Sequence, residues 1–522
     1  MRLTVTPLIG LALTAALAAP SAAQQAQGGA DTLRAPAGGC TALRALRLPD
    51  VRLSAVDDVR APSRDDDARV PHCRVAGVVG KAIRFVVVLP DAWTGRLYMG
   101  GNGGFAGSLN RGALATANQG YVAVTTDTGH DDDGGSARWA LNDVERQLDY
   151  AYVGVHRTVE VAKVLAKAYY GVEPRYAYFA GCSNGGRQAL MEVQRYPDDF
   201  DGVIAGAPAA QFTRIGISFV KNLQATYRTP RTFRTPVVTQ ASLDLLSRKV
   251  LDACDAIDGV TDGVIDDPRN CHFAVASIKA CPSDRAAPDC LTRAQRAAIV
   301  TIYAPTTDAR GAVIYPGQPF GGEAFAEGWP AWITGSDTAL IRSLGAPNAQ
   351  AMFAIQGARY LTFGDSTWDY SRYDRTRMLA DTRRTASFLD AVDPDLSRFA
   401  ARKGKLLLYH GWADPALNPL ATIDYYDQVR ARDPAATDYA RLFLMPGVLH
   451  CAGGAGPDQA PWLRTVVDWV EHGRAPERIV AVKRDTTGRV TRSRPLCAYP
   501  QRAVYTGSGS TDAEGSFACR AR

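Results

Sequence analysis

The segment at residues 176–190, which reads Y-A-Y-F-A-G-C-S-N-G-G-R-Q-A-L, constrains the fold more than any other part of the chain. An apolar, aromatic-rich run at 176–180 is typical of a buried strand, and good helix formers follow from Arg187. Between them lies a G-x-S-x-G motif centred on Ser183. A strand, a tight turn and a helix in that order form a nucleophile elbow, which holds a serine above the carboxyl edge of a sheet. The segment therefore predicts an α/β fold with Ser183 as nucleophile.

Other apolar runs alternate with segments of helical periodicity on both sides of this elbow. The predicted strands are residues 82–89, 96–99, 121–125, 202–207, 405–409 and 441–445, and a helix is predicted at 152–170. Strands that alternate with helices indicate a mostly parallel sheet that is covered on both faces.

Two late strands run into loops that carry the partners a serine nucleophile needs. One continues into H-G-W-A-D, which ends at Asp414, and the other continues into P-G-V-L-H-C, which contains His450. The chain order serine, aspartate, histidine is that of α/β-hydrolases. We therefore predict acyl transfer in which Ser183 attacks an ester carbonyl, His450 moves the proton and Asp414 orients the imidazole.

Three further features near the predicted site have competing interpretations. His410 is a rival base, but its place only four residues before Asp414 favours packing at the strand end. The loop G-G-N-G-G-F at 100–105 lacks both G-x-G-x-x-G and a P-loop lysine, so we interpret it as a backbone N–H donor loop rather than a phosphate loop or a flexible surface loop.

His130 lies beside three aspartates, which suggests a metal. Because no second histidine lies at ligand spacing, we predict a solvated loop near the site mouth instead.

The chain begins with a pattern typical of a secretory signal peptide at residues 1–23. Arg2 precedes an apolar run at 8–19, and S-A-A at 21–23 fits a cleavage site. The run is too short to span a membrane, and no later apolar run reaches the length of about 18 residues that spanning requires. We predict a secreted or periplasmic protein. The net charge of +6 over 522 residues, without a concentrated basic run, argues against nucleic-acid binding.

The length predicts a catalytic domain with a large insertion, because the chain exceeds one ordinary core. Residues 24–209 and 396–522 carry the strand and helix alternation and are predicted to form an α/β-hydrolase domain. Residues 210–395 lack that alternation, hold four cysteines and contain Trp329, Trp332 and Trp368. Because this insertion follows the strand next to the nucleophile, it emerges at the active edge of the sheet and is interpreted as a lid.

Ten cysteines form an even set. Proximity favours four local pairs, although sequence alone does not fix connectivity. The pairs are Cys40 with Cys73, Cys254 with Cys271, Cys281 with Cys290, and Cys497 with Cys519. Cys182 and Cys451 remain, and each adjoins a candidate catalytic residue.

The lid segment between Cys254 and Cys271 is rich in aspartate. Asp255, Asp258 and Asp262 are predicted to supply carboxylate oxygens to a structural Ca²⁺, and Val260 and Val264 to supply backbone carbonyls. The spacing is not that of an EF-hand. The alternative is an acidic solvated loop held by a disulfide. No organic cofactor is indicated.

The motifs G-C-S-N-G-G, H-G-x-x-D and H-C resemble the tannase and feruloyl esterase family, and the likeness extends to R-P-L-C-A-Y-P at 494–500. The resemblance implies hydrolysis of esters of aromatic acids, namely galloyl esters, feruloyl esters or the half-ester of terephthalate. It also implies a disulfide between Cys182 and Cys451. One oxyanion donor is predicted to be the N–H of Asn184, which follows the nucleophile. The resemblance places the other on Gly104, with Gly103 as the alternative.

Substrate choice within this family is less constrained by the sequence. Terephthalate half-ester hydrolases hold the free carboxylate with a lid arginine, which aligns with Ala351 here, and their neighbouring aromatic residue aligns with Ile355. Arg342 or Arg359 are possible substitutes. The departure favours a neutral phenolic acyl group, feruloyl or galloyl, and a small ester substrate without a nucleic-acid, membrane or protein partner. A secreted serine carboxypeptidase and a catalytically silent binding module are the alternatives from other classes.

Overall fold

The computed structural model describes residues 33–61 and 67–521, so the predicted signal peptide at 1–23 lies outside the described residues. The strands of this part of the chain are β1 (Val51–Val59), β2 (His72–Val79), β3 (Ile83–Pro90), β4 (Arg96–Gly100), β5 (Val122–Thr126), β6 (Tyr176–Cys182), β7 (Gly202–Gly206), β8 (Thr306–Thr307), β9 (Val313–Tyr315), β10 (Lys405–Gly411), β11 (Ala440–Met445), β12 (Arg478–Arg484), β13 (Val490–Cys497), β14 (Arg502–Tyr505) and β15 (Phe517–Arg520).

The α-helices of the same residues are α1 (Arg111–Leu114), α2 (Val144–Leu148), α3 (Gly154–Tyr170), α4 (Asn184–Arg195), α5 (Phe212–Thr226), α6 (Gln240–Cys254), α7 (Arg293–Tyr303), α8 (Thr338–Leu344), α9 (Ala349–Gln356), α10 (Met378–Asp381), α11 (Arg383–Leu389), α12 (Ser397–Ala401), α13 (Pro419–Arg432) and α14 (Trp462–His472). A π-helical turn at Asp149–Val153 leads into α3. Within the described ranges, no helix has the length and apolarity needed to cross a bilayer.

One large sheet has the strand order β1-β2-β3-β5-β4-β6-β7-β10-β11. Neighbours from β5 to β11 pair in parallel, and β1, β2, β3 and β5 pair antiparallel. The prediction of a mostly parallel α/β sheet holds for the half that carries the site. The antiparallel edge strands β1 and β2 were not predicted, although β1 alternates half-buried Val51, Leu53 and Ala55 with exposed polar residues.

Both faces of the parallel half are buried, as its near-continuous apolar runs require. Along β7, Val203 and Ala205 belong to the apolar cluster on one face and Ile204 belongs to the cluster on the other. Successive residues of β10 alternate in the same way. The carboxyl ends of β4, β6, β10 and β11 therefore meet at one covered edge, where the candidate site lies.

Residues 210–395, predicted as the lid, contain α5 to α11 and the small hairpin β8–β9 instead of strand and helix alternation. Some of their apolar side chains, among them Leu361 and Leu389, pack in a cluster with Phe105 and Tyr150, and most of the others form two clusters. One surrounds α5 and α9 and includes Val220 and Leu223, and the other surrounds α6 and α7 and includes Leu246 and Ile299. The first cluster adjoins the cavity described below.

Disulfides join all ten cysteines. The pairs are Cys40–Cys73, Cys182–Cys451, Cys254–Cys271, Cys281–Cys290 and Cys497–Cys519. Four of these are the local pairs that proximity favoured, and the fifth is the long-range pair that the family resemblance implied.

Candidate active site

Ser183 occupies the turn between β6 and α4 in a conformation that few residues adopt. Its φ is 65° and its ψ is −122°, outside the regions that residues with a Cβ normally occupy. The surrounding backbone over-determines this conformation, because the Ser183 N–H donates to Gly206 O at 3.0 Å and the Ser183 carbonyl accepts from Ala209 N at 3.0 Å.

Two glycines allow this turn to form so tightly. A Cβ on Gly181 would lie 2.6 Å from the Cα of Gly185, and a Cβ on Gly186 would lie 2.8 Å from the Cα of Pro208. A Cβ on Gly185 would have no neighbour nearer than 3.4 Å. The close approach therefore depends on Gly181 and Gly186, although the motif itself names Gly181 and Gly185.

Asp414 and His450 lie together at the carboxyl edge of the sheet, in the loops after β10 and β11. The Nδ1 atom of His450 is 2.8 Å from the Oδ2 atom of Asp414. Ser183 and His450 line the same cavity, and no hydrogen bond joins their side chains in the described part of the chain. Such contacts are often long in ligand-free enzymes. The Cys182–Cys451 disulfide, with a Cα–Cα distance of 6.0 Å, ties their neighbours together.

His410 packs at the end of β10, as predicted, and it also contacts the candidate catalytic aspartate. The His410 ring is fully buried, with Nδ1 2.8 Å from Thr422 Oγ1 and Nε2 3.1 Å from Leu417 O. Its Nε2 atom is also 3.2 Å from Asp414 Oδ2. Burial alone would raise the pKa of Asp414, but the charge of His450 and hydrogen bonds from His410 and His450 lower it below its usual range.

Two backbone N–H groups at the cavity, those of the predicted oxyanion donors, lack an acceptor within the described residues. The N–H of Asn184 is at the start of α4, where it has no intrahelical partner, and that of Gly104 donates to no acceptor among the described residues. Gly104 and Asn184 both line the cavity at Ser183, whereas Gly103 does not. The geometry favours Gly104 over Gly103 as the second donor.

The cavity at Ser183 is apolar. It encloses about 500 Å³, a volume that includes open solvent at its mouth. Its aromatic walls are Phe105, Phe212, Phe219, Trp332 and Phe353. The Trp332 ring lies 4.9 Å from the His450 ring in an edge-to-face arrangement. Phe105 comes from the oxyanion loop and the other four come from residues 210–395, so this segment supplies most of the wall.

The lid residues that the sequence singled out do not line this cavity. Ala351 and Ile355 are buried in the α5–α9 cluster, and the neighbouring Phe353 lines the cavity instead. Arg342 is exposed, and the Nε atom of Arg359 donates to Trp368 O at 3.1 Å. Neither arginine lines the cavity at Ser183.

The prediction that His130 lies in a solvated loop is wrong. His130 is 3% exposed, its Nε2 atom is 2.7 Å from Phe105 O, and its ring stacks on Trp139 with a centroid distance of 3.8 Å. Burial lowers the pKa of His130 to about 4. The neutral ring therefore packs against the loop at 100–105, which is predicted to supply an oxyanion donor.

The aspartate-rich lid loop has carboxylate oxygens of the kind that calcium binds. In the structure, some of these oxygens already accept hydrogen bonds or form an ion pair with other protein groups. The Asp255 carboxylate accepts N–H groups from Asp262 and Gly263 at 2.9–3.2 Å, and Asp262 pairs with Arg494. Burial raises the pKa of Asp258 and of Asp262, and the Asp255 carboxylate raises both further. Over the described ranges, no group of three or more His, Cys, Asp or Glu side chains is arranged to hold a metal.

The model of a known family matches residues 68–520, which is most of the chain. The chain belongs to the tannase and feruloyl esterase family. It is therefore a carboxylic ester hydrolase.

Several members of this family are similar to the chain along most of its length. Feruloyl esterase B of Aspergillus niger is 32% identical, covering 83% of this chain and 82% of its own. Mono(2-hydroxyethyl) terephthalate hydrolase of Piscinibacter sakaiensis is 32% identical, with coverages of 88% and 87%. The crystal structure of feruloyl esterase B from Aspergillus oryzae superposes with a TM-score of 0.82 at 27% identity and covers 92% of this chain and 99% of that one.

Pattern analysis missed the residues that shape the cavity of this esterase. Trp332 and Phe353 lie far from Ser183 in sequence, and their position at the site depends on how the lid folds back. Composition gave little signal, because residues 210–395 hold three of the eight tryptophans, close to their share of the chain. The spacing of Phe212, Ile215 and Phe219 is that of one helix face, which predicts a buried stripe.

Proposed function

We propose that this esterase cleaves esters of neutral phenolic acids and that feruloyl esters fit its site best. The observation that carries the proposal is the cavity wall, in which aromatic and aliphatic side chains surround Ser183 and no ionisable side chain except His450 contributes. Apolar walls with few polar groups suit a flat aromatic ring. The similarity to feruloyl esterase B of Aspergillus niger supports the same substrate class.

The wall argues against an acyl group that carries a free carboxylate. A buried carboxylate needs a cation or several hydrogen-bond donors, since its desolvation otherwise costs several kcal/mol. Neither Lys nor Arg lines the cavity. Terephthalate half-esters are therefore expected to be poor substrates, even though one similar enzyme is named for that reaction.

The same wall distinguishes feruloyl from galloyl esters. A galloyl ring carries three hydroxyls, whereas a feruloyl ring carries one hydroxyl and an apolar methoxy group. The polar side chains that line the cavity, Ser183, Asn184 and His450, belong to the proposed catalytic machinery. Hydroxyls buried without partners lose binding energy, so the less hydroxylated ring is favoured.

The proposed mechanism proceeds through a covalent ester on Ser183. His450 takes the serine proton through Nε2, because its Nδ1 atom faces Asp414 at 2.8 Å, and later donates a proton to the leaving alcohol. Asp414 keeps the ring oriented and stabilises its cationic form. The N–H groups of Gly104 and Asn184 stabilise the tetrahedral oxyanion, for which one such donor contributes about 3–4 kcal/mol.

A substrate panel tests the proposal. We expect kcat/KM to be highest for methyl ferulate, lower for methyl gallate, and lowest for a terephthalate half-ester and a blocked dipeptide. Ser183→Ala serves as the control and is expected to be inactive on every member. A half-ester turned over faster than methyl ferulate would contradict the assigned substrate, and dipeptide cleavage without ester turnover would indicate a carboxypeptidase.

We further propose that the protein is exported and that its lid binds a structural Ca²⁺. Five disulfides are typical of an oxidising compartment, which agrees with the leader-like residues 1–23. For calcium, the carboxylates of Asp255, Asp258 and Asp262 with nearby carbonyls are the oxygen donors that this ion prefers. The ion takes no part in the proposed ester chemistry.

A further inference from the structure

The oxyanion hole of the proposed mechanism is assembled from two separate segments. Gly104 lies in the loop after β4, and Asn184 lies 80 positions later at the start of α4. Both N–H groups must point at the same oxygen, and a displacement of about 1 Å can reduce the rate about 100-fold. Some contact must therefore hold the two segments together.

The side chain of Asn184 makes that contact. Its Nδ2 atom donates to Asn102 O in the oxyanion loop at 3.1 Å. Its Oδ1 atom accepts from the Tyr150 hydroxyl at 3.0 Å and from Arg187 Nε at 2.8 Å. The residue proposed to supply one donor through its backbone is thus bound to the other segment through its side chain.

The hydroxyl of Tyr150 reaches both segments. It lies 3.1 Å from Gly104 O as well as 3.0 Å from Asn184 Oδ1. Tyr150 is 1% exposed, and burial raises its pKa to about 12, so the hydroxyl stays protonated. Its single proton is shared between two acceptors that belong to the two halves of the oxyanion hole.

Arg187, near the start of α4, binds both Asn184 and the backbone at Tyr150. Its side chain is fully buried, and no carboxylate pairs with it among the described residues. The guanidinium donates to Asn184 Oδ1, to Tyr150 O at 3.0 Å and to Ala151 O at 2.8 Å. It also lies 4.8 Å from the Tyr150 ring centroid. A buried cation costs several kcal/mol, and this one is offset by these carbonyl and amide oxygens and by the charge of Asp390, which does not pair with it directly.

We propose that Tyr150 and Arg187 are positioning residues that set the relative placement of the Gly104 and Asn184 N–H groups. Neither residue lines the cavity, so they act through Asn184 and the Gly104 carbonyl rather than on the substrate. The inference rests on the proposed serine-ester mechanism and adds residues that the elbow motif does not contain. Arg187 is also 3.5 Å from Leu389 O, so the same side chain contacts a lid helix.

Tyr150→Phe tests the proposal because it removes only the hydroxyl. We expect kcat on methyl ferulate to fall about 10- to 100-fold while KM changes less than about twofold, since the hole is used mainly in the transition state. Affinity for a trifluoromethyl ketone, whose serine adduct places an oxyanion in the hole, should fall by the same factor. Arg187→Lys should also lower kcat, because an ammonium group cannot reproduce the hydrogen bonds of the planar guanidinium.

Tyr170→Phe is the matched control. Tyr170 is also buried, and its hydroxyl donates to Pro90 O at 2.7 Å outside the site. This variant should lose stability with kcat and ketone affinity unchanged. Asn184→Ala keeps the backbone N–H but removes the bridge. Its effect combined with Tyr150→Phe should be smaller than the product of the two single losses, because the residues form one network.

The proposal is overturned if Tyr150→Phe lowers melting temperature while kcat and ketone affinity stay at the wild-type level. It is equally overturned if the kcat losses of Tyr150→Phe and Asn184→Ala multiply. Failure of the underlying mechanism has a different signature, because a fluorophosphonate would then leave Ser183 of the wild-type protein unlabelled.

Discussion

At the residue scale, Asp414 is bound on both carboxylate oxygens. Its Oδ1 atom accepts the N–H groups of Ala416 and Leu417 at 2.8 and 2.9 Å, and its Oδ2 atom faces both His450 and His410. Although full burial would raise the pKa of Asp414, the charge of His450 and the hydrogen bonds from both histidines hold this pKa below its usual range. The carboxylate therefore remains charged and fixed in direction, as the orientation of His450 requires.

Replacement of the two histidines at Asp414 is expected to lower kcat by very different factors. His410→Gln should lower kcat by less than about tenfold, because it removes one of several contacts to the carboxylate. His450→Ala and Asp414→Asn should each lower kcat by about 10⁴ or more. Steady-state kinetics on methyl ferulate measures all three. A His410 variant as inactive as the His450 variant would reverse the assignment of the base.

The Cys182–Cys451 disulfide is expected to affect activity more than stability. Both cysteines flank proposed catalytic residues, and the loop model gives about 5 kcal/mol for closing a ring of this size. The double variant Cys182→Ala, Cys451→Ala should fold but lose most of its kcat, because the His450 loop becomes free to shift.

The Cys281–Cys290 disulfide, which closes a short lid loop, provides the control. Its removal should lower the melting temperature and leave kcat near the wild-type value. Full activity without the Cys182–Cys451 bond would refute its positioning role.

At the element scale, apolar periodicity in the sequence predicted the strands that carry the site. Other elements became visible only in the structure. The elbow strand, the two strands before Asp414 and His450 and the helix α3 follow from apolar periodicity and from glycine at the turn. Edge strand β1 and the hairpins β12–β13 and β14–β15 were not predicted; β1 and β14 are mostly half-exposed or exposed, whereas β12 contains the buried Ile479 and Ala481 and was overlooked. The burial of His130 depends on Trp139 folding over it, which no local pattern encodes.

The π-helical turn before α3 contains a carboxylate that is expected to oppose folding at neutral pH. Asp149 is 7% exposed, and burial, with repulsion from Glu145 and Asp143, raises its pKa to about 7. The folded chain therefore binds a proton that the unfolded chain, with a pKa of about 3.9, has already lost. The extra proton bound by the folded state favours folding at low pH. This favourable effect of Asp149 on the free energy of unfolding declines as the pH rises towards and through about 7.

Asp149→Asn removes that penalty with little change in shape. Urea unfolding should show the variant more stable than wild type by about 1–4 kcal/mol at pH 8, and the difference should shrink at pH 5. Asp485→Asn is the control of opposite sign, since hydrogen bonds from Thr487 and Arg489 lower the pKa of Asp485 and this residue does not act on Asp149. A difference for Asp149→Asn that does not vary with pH would contradict the assignment.

At the scale of the whole molecule, residues 210–395 are connected to the central sheet at both ends and contact the C-terminal hairpin in between. The lid leaves the sheet after β7 and returns at β10, and its aspartate loop meets the C-terminal hairpin where Asp262 contacts Arg494 and Arg492. The cavity walls at Trp332 and Phe353 depend on this arrangement. Substrate choice is therefore a property of the assembled molecule and is hard to deduce from any single motif.

The calcium proposal makes a prediction at this scale. Protein purified without chelator should contain about one Ca²⁺ per chain, and EDTA should lower the melting temperature before it lowers kcat of the folded fraction. Asp255→Asn should reproduce the stability loss and abolish the EDTA effect. Metal analysis that finds no calcium would exclude the site and leave a loop braced by Arg494 and the Cys254–Cys271 disulfide.

The disulfide at the nucleophile also decides what happens when the backbone is cut. Cys182 and Cys451 close a covalent ring that contains every residue of the lid. A protease that cleaves one peptide bond anywhere in this ring produces two fragments that stay attached through the sulfur atoms. The fragment that carries Ser183 and the fragment that carries His450 therefore remain neighbours after nicking, and they separate only when a reductant is present.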